Sequence, residues 1–348
     1  MKVMVNPTVS VIVVNHNGKG VLRDSIQSVF SSKYRPLEVI VVDNGSTDGS
    51  DAEIKKEYDV MLLRNRRNLG FAYANNMGIR AAKGEYCLML NSDAIVSPEA
   101  IGDLVNEAST SRGSGFYQPK ILMLDKPGIV NSTGIDIHLA GFGLLRGAGQ
   151  EDNGQYDQNK QIRAAHGACT FASKKALQDI GLFDGSFFGF NEDTDLGWRA
   201  LLRGWRPRYV SSATVYHRWG HTWGLGSLFP RKLYYLERNR LIMVLTNYER
   251  QSLILLLPIL LLAEVCTIAY CLSHSFLNAK IKTYADIIRM RRLIVRRRRL
   301  IQSYRREDDR CVINSFVSEF RHPFLANHAH APLNSLFKLL RRVVGHES

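Results

Sequence analysis

The chain has few cysteines for its 348 residues, and Cys87, Cys169, Cys266, Cys271 and Cys311 form an odd set with no Cys-x-x-Cys pair. That argues against a zinc site or a disulfide framework and fits a reducing compartment. No Gly-x-Gly-x-x-Gly follows the first strand-like run, and no Gly-Lys-Ser/Thr loop is present. Hydride transfer with a dinucleotide and P-loop phosphoryl transfer therefore lose their main support. The N-terminus runs quickly into a strand-like segment, so no signal peptide is expected, and there is no internal repeat or low-complexity linker. Acidic residues are in deficit: 46 Lys and Arg face 32 Asp and Glu, a net charge of +14. Such an excess implies an anionic partner, whether nucleic acid, a phosphorylated ligand or a membrane surface.

The first half alternates strand-like and helical segments. Val9-Ser10-Val11-Ile12-Val13-Val14 is a β-branched run ending in the turn Asn15-His16-Asn17-Gly18. Helical spacing of Leu22, Ile26, Val29 and Phe30 follows, then a strand over Leu37 to Val42, broken at Asp43-Asn44-Gly45-Ser46-Thr47-Asp48-Gly49-Ser50. Val60 to Leu63 reads as a third strand, Phe71 to Lys83 as a helix, and Tyr86 to Leu90 as a fourth strand running into Asn91-Ser92-Asp93. This alternation predicts βαβ units and a mostly parallel sheet in an α/β fold. Asn15, Asp43, Asn44, Asn68, Asn91 and Asp93 thus collect where strands end, which is where open α/β sheets bind ligands. Each alone is an ordinary turn former, but together they favour a nucleotide crevice. Asp93, a strand-end carboxylate, is suited to a hard divalent cation that also binds substrate phosphates.

A second concentration of chemistry lies in Phe187-Phe188-Gly189-Phe190-Asn191-Glu192-Asp193-Thr194-Asp195-Leu196-Gly197-Trp198-Arg199. The pattern predicts a helix capped by Asn191, acidic in its first turn and stopped by Gly204. Helical geometry points Glu192, Asp193 and Asp195 in different directions, so only one of them need face a substrate. Residues 114–163, rich in glycine, read as a connecting region with loops near the acceptor side. Trp205 to Val210 and Ala213 to Tyr216 read as two short strands ending at His217.

Val11-Ile12-Val13-Val14-Asn15, the Val41 to Ser50 segment, Asn68-Leu69-Gly70-Phe71-Ala72, Leu90-Asn91-Ser92-Asp93 and Glu192-Asp193-Thr194-Asp195, with Val215-Tyr216-His217 beyond, resemble the inverting family 2 glycosyltransferases of GT-A fold. Within them the segments are most similar to the rhamnosyltransferase-like and galactofuranosyltransferase-like branch, over about residues 8–240. The resemblance implies a GT-A catalytic domain over 1–245, with a nucleotide-binding half (1–95) and an acceptor half (96–245). It implies a nucleotide-diphosphate sugar held at Asn15, Asp43, Asn44, Asn68 and Ser92, and a divalent cation, Mg²⁺ or Mn²⁺, on Asp93 and His217. Asp193 is expected to be the base, with Glu192 and Asp195 as supporting contacts. Gly167, in a segment similar to one lining the family's acceptor cleft, is either a place of close approach to the sugar or a tight turn before a strand. Trp198, His221 and Arg238 are further expected acceptor or diphosphate contacts. One departure stands out: the family's Asp-x-Asp is here Asn91-Ser92-Asp93, where an amide carbonyl replaces a charged ligand. Rhamnose is the first expectation for the donor sugar, with galactofuranose, glucose or mannose behind it, and a cell-surface glycan, polyprenyl-linked, is the expected acceptor. A non-catalytic GT-A-like module that binds nucleotide or glycan is the rival reading.

Beyond residue 245 the character changes. Leu253 to Leu272 is almost entirely apolar, interrupted by Pro258 and Glu264, and Lys280 to Arg310 carries twelve Lys or Arg against four Asp or Glu. No aromatic platform accompanies these cations, which disfavours nucleic acid. The expectation is a helical region, 246–348, re-entrant or interfacial on the cytoplasmic face of the cell membrane, with Arg296 to Arg299 on anionic headgroups. Burial of this region against the catalytic domain or against another subunit, including a homo-oligomer, is the alternative.

Overall fold

The computed structural model describes residues 6–111, 113–218, 229–319 and 327–343. The first half runs β1 (Val9–Asn15), α1 (Leu22–Phe30), β2 (Leu37–Asp43), α2 (Ser50–Glu57), β3 (Met61–Arg64), α3 (Phe71–Ala81) and β4 (Tyr86–Asn91). It continues through β5 (Ala94–Val96), α4 (Ala100–Thr110), β6 (Phe116–Met123), β7 (Lys126–Ser132), β8 (Ile135–Ile137), β9 (Gly143–Leu145), β10 (Cys169–Ser173), α5 (Lys174–Ile180), α6 (Glu192–Leu202) and β11 (Arg208–His217). Among the described residues there follow α7 (Phe229–Asn247), α8 (Arg250–Leu255), α9 (Leu257–Ser273), α10 (Leu277–Arg289), α11 (Arg291–Tyr304), α12 (Asp309–Ile313) and α13 (Asn327–Val343).

The main sheet has the order β3-β2-β1-β4-β10-β6-β11-β5, with β7 added on β6. Pairing is parallel from β3 through β4 and again between β6 and β11, and antiparallel at β10, β5 and β7. The β-branched runs of β1 and β2 are explained by burial on both faces. Ile12, Ile40 and Val42 pack into one core, and Val11, Val13, Val39 and Val41 into the other. The first core is continuous with Ile294 and Ile301 of α11 and with Phe316, just beyond α12.

Residues 114–163 depart from the expectation of a connecting region, because β6 is a fully interior strand of the sheet. Gln118, Pro119 and Lys120 break its apolar pattern, yet Lys120 is buried and neutralised by Asp152 at 2.9 Å and Asp157 at 3.1 Å. The two short strands expected over 205–216 are one strand, β11, with a register shift between Val210 and Thr214.

Candidate active site

Sheet register brings the strand-end residues together. Asn15 at the end of β1 lies opposite Asp43 at the end of β2. Asn15 Nδ2 donates to Asp43 Oδ1 (2.9 Å), Ser46 Oγ (3.1 Å) and Ser50 Oγ (2.9 Å). Asp43 Oδ2 accepts from the Ser46 N–H. Asn44 Nδ2 donates to Asn68 Oδ1 (3.0 Å), while Asn44 Oδ1 accepts from Asn65 Nδ2 and the Leu69 N–H. Asn15, Asp43 and Asn44 are buried, and their side chains bond one another and the residues of the adjoining loops, so they brace the crevice. Asn68 and Ser92 remain half-buried at its edge.

Asp93 precedes β5, and β5 runs antiparallel to β11 with Ala94 opposite His217. The Arg218 N–H donates to Asp93 O, closing the pair. His217 Nε2 therefore lies 3.3 Å from Asp93 Oδ1 and 3.4 Å from the Asn91 amide nitrogen. On its other side the ring's Nδ1 lies 3.1 Å from Oδ1 of buried Asn131, on β7. An amide oxygen only accepts, so the proton of a neutral imidazole sits on Nδ1 and the Nε2 lone pair faces the carboxylate. Two acceptors this close fit adjacent donors on one divalent cation, whose ligands about 2.1 Å from the metal stand about 3 Å apart. Among the described residues no three His, Cys, Asp or Glu group to hold a metal ion. Such a cation would complete its shell with water, substrate phosphates and the Asn91 amide carbonyl after rotation of that group. His166, buried beside His217 with ring centroids 6.1 Å apart, is lowered to about 3, first by burial and then by its electrostatic interaction with the neighbouring ring. It stays neutral there.

A short turn joins the strand-end cluster to the acid motif. The Asn91 N–H donates to Ala168 O (3.0 Å), and the Gly167 N–H donates to Asp193 Oδ2 (2.9 Å). Asp193 Oδ1 accepts from the Thr194 N–H (2.6 Å) and hydroxyl (3.2 Å). A Cβ on Gly167 would lie 3.3 Å from Asp193 Oδ2 and 3.5 Å from Glu192 Oε1. Both carboxylates thus converge on one point, whereas helical spacing required only one to do so. Burial, and next the charge of Asp193, push Glu192 up to about 8. Burial also raises Asp193, against the hydrogen bonds from Gly167 and Thr194. The pair therefore carries one proton and one negative charge near neutral pH, with the charge on Asp193, where donors already point. Glu192 Oε2 is buried and has no hydrogen-bond partner among the described residues.

Asp195 corrects the sequence reading, which placed it as a supporting contact at the reacting centre. It is wholly buried, with Arg199 Nε at 2.7 Å, Asn247 Nδ2 at 3.2 Å, and Arg297 of α11 on the same oxygen as Asn247. Burial alone would raise Asp195, but the Arg199 and Arg297 guanidiniums outweigh it and hold the carboxyl below its ordinary range. Trp198 is likewise no acceptor contact: it is fully buried, edge-on to Tyr248 and Phe316. Arg238 is buried too, donating to Asn239 Oδ1 and Ser186 O instead of presenting a free guanidinium to phosphate. His221 lies outside the described residues.

The turn before α6 is strained. Phe190 and Asn191 both have positive φ, 67° and 61°. Asn191 occupies the cap position without the expected side-chain cap; its Nδ2 donates to Leu236 O of α7. Asn239 Nδ2 holds the same turn through Gly189 O (2.9 Å) and Phe190 O (2.7 Å). Consecutive left-handed non-glycine residues persist only where surroundings over-determine them, and such strain clusters at functional sites. At the turn's other end the Phe71 N–H donates to Phe188 O (2.7 Å), and Gly70, at φ +91°, leaves no room for a Cβ, which would sit 2.4 Å from that oxygen. Residues 187–191 therefore tie α3, beside the strand-end cluster, to α6 and α7. Asn131, Asn239 and Arg297 were missed as site supports; no motif marks them, and their partners lie far away in sequence.

Residues 10–181 match the model of glycosyl transferase family 2, so the chain carries a domain of that family in a GT-A fold. Over 243 residues it is 28% identical to the N-acetylglucosaminyl-diphospho-decaprenol L-rhamnosyltransferase of Mycobacterium tuberculosis, covering 62% of this chain and 77% of that protein. It is 25% identical over 224 residues to the poly-beta-1,6-N-acetyl-D-glucosamine synthase of Staphylococcus aureus, covering 63% of this chain and 51% of the synthase. Among solved structures, GalNAc-T7 with UDP, GalNAc and Mn²⁺ superposes with a TM-score of 0.57 at 17% identity, over 71% of this chain and 49% of that one. S. aureus TarS (residues 1–349) gives 0.50 at 18% identity, over 70% and 67%. The chain thus spans only about half of the synthase and of GalNAc-T7, and the structural likenesses bear on the fold alone.

Proposed function

We propose that this protein transfers a sugar, rhamnose before other hexoses, from a nucleoside-diphosphate donor to a hydroxyl of a lipid-linked glycan, with inversion. The observation that carries this reading is the linkage of two chemically distinct centres through one turn. Asn91 binds Ala168, and neighbouring Gly167 binds Asp193, so the Asp93–His217 pair and the Glu192–Asp193 pair flank the same short segment. The relative from M. tuberculosis, named for rhamnosyl transfer to a lipid-diphosphate-linked N-acetylglucosamine, supports both the donor and the acceptor class. A divalent cation on Asp93 and His217 would neutralise charge on the departing diphosphate as a Lewis acid. With the leaving group cared for in that way, the protein need supply one base.

Asp193 takes that role. Its ionised carboxylate, held by the Gly167 and Thr194 donors, removes the proton from the acceptor hydroxyl as that oxygen attacks the anomeric carbon. Its raised pKa brings its basicity toward working pH. Glu192, protonated at neutral pH, acts as a hydrogen-bond donor beside it. The anomeric carbon takes on oxocarbenium-like character, and attack from the face opposite the diphosphate gives inversion. The test is a panel of nucleotide sugars scored for thermal protection and for acceptor-dependent release of nucleoside diphosphate. Binding without acceptor-stimulated release from any donor would favour the non-catalytic module instead.

A further inference from the structure

No helix among the described residues is long and apolar enough to cross a membrane. Even so, α9 presents Leu257, Leu261, Val265 and Leu272 to solvent at 48%, 56%, 63% and 59% exposure. These positions recur at helical spacing on one face, while Ile259, Ala263 and Cys271 on the other face are buried. Rotation of the stripe inward is blocked by a charge cluster. Glu264 of α9 is ion-paired with Arg240 of α7 and, at 2.9 Å, with Lys280 of α10, and both cations also pair with buried Glu237. Helix α10 repeats the pattern with exposed Leu277, Ile281 and Ile288.

Helix α11 distinguishes the occupant of this surface. Arg297 and Arg298 are engaged with the protein, contrary to the expectation that the whole arginine block meets headgroups. Arg292, Arg296 and Arg299 are exposed, together with Leu293 and Leu300. Apolar and cationic side chains thus share the exposed side of one helix, the arrangement in which aliphatic groups enter an acyl layer while guanidiniums reach phosphates. A second copy of the chain would bring like-charged arginines together on a molecule of net charge +14.

We infer that the exposed sides of α9, α10 and α11 form one docking surface that lies in the plane of an anionic phospholipid bilayer without crossing it. This rests on the C-terminal helices alone and is independent of the sugar and of the reaction proposed above. The test is flotation of the whole protein with vesicles of phosphatidylcholine plus phosphatidylglycerol and with vesicles of phosphatidylcholine alone. Strong binding to the anionic vesicles is expected. It should weaken at least tenfold in Leu261→Glu/Val265→Glu and, separately, in Arg292→Glu/Arg296→Glu, and should fall with added salt. Melting temperature and nucleotide-sugar binding, read on the same preparations, should match wild type. Should the leucine–valine variant melt early, the arginine variant and the salt titration decide. Failure to float with anionic vesicles, or equal binding by wild type and the arginine variant, overturns the proposal. Sedimentation in which Leu261→Glu/Val265→Glu dissolves a dimer would also overturn it in favour of self-association.

Discussion

Arg297 of α11 is ion-paired with Asp195 of α6 across 102 residues of chain. Its Nε also lies 2.9 Å from Asp184, and its guanidinium lies over the Phe187 ring at 5.0 Å. One side chain from the C-terminal region thus fixes both the acid-bearing helix and the turn that leads into it. Arg297→Met should therefore destabilise the protein by about 3–5 kcal/mol, because it removes one of the two cations from the buried Asp195 carboxylate and leaves Arg199 as its only charged partner. Urea unfolding measures this. In the fraction that stays folded, turnover should fall more than donor affinity, since α6 is displaced while the nucleotide crevice is not. A loss confined to donor affinity would contradict the assignment.

The two converging carboxylates should separate under isosteric substitution. Asp193→Asn removes the proposed base and should cut turnover by about two to four powers of ten with donor binding near normal. Glu192→Gln keeps a neutral, hydrogen-bonding side chain and should be far milder. Steady-state kinetics on both variants decides; the reverse ranking would make Glu192 the base.

The same pair predicts the pH dependence of stability. Glu192 is raised from 4.5 to about 8, so the native protein keeps a proton that the unfolded chain releases. Its contribution is fully present below pH 4.5 and is lost as pH rises toward about 8. Asp193, also raised, acts in the same direction. Melting temperatures across that window should fall with pH in wild type and fall less steeply in Glu192→Gln.

The Asp93–His217 pair and its Asn131 support are open to a direct binding measurement. Asp93→Ala and His217→Ala should each weaken Mn²⁺ binding, read by electron paramagnetic resonance with nucleoside diphosphate present. Asn131→Ala should weaken it about 10–100-fold, the range for outer partners of metal-bound histidines. Asn91→Asp should tighten it. Unchanged binding in Asp93→Ala would remove the cation from this position.

Much of this was legible in the chain, for identifiable reasons. Strands β1, β2 and β4 are buried on both faces and so read as unbroken apolar runs whose ends mark the crevice. Strand β6 was not legible, because Lys120 is neutralised by Asp152 and Asp157, more than thirty positions on. The acid cluster was visible, but its division of labour was not: Asp195 differs from Asp193 by where Arg297 and Gly167 lie, and neither distance is written locally. Arg296 to Arg299 look alike in sequence, yet packing on α6 and α7 buries Arg297 and leaves Arg296 and Arg299 exposed.

The central claim is that Asp193 deprotonates an acceptor hydroxyl during sugar transfer. Its most direct test measures nucleoside diphosphate released from each nucleotide sugar, with and without a polyprenyl-diphosphate-linked glycan, by wild type and by Asp193→Asn. The account predicts that at least one donor, rhamnose first, gives acceptor-stimulated release by wild type and release near background by the variant, with donor binding retained in both. Equal acceptor-stimulated release by the two proteins would contradict it.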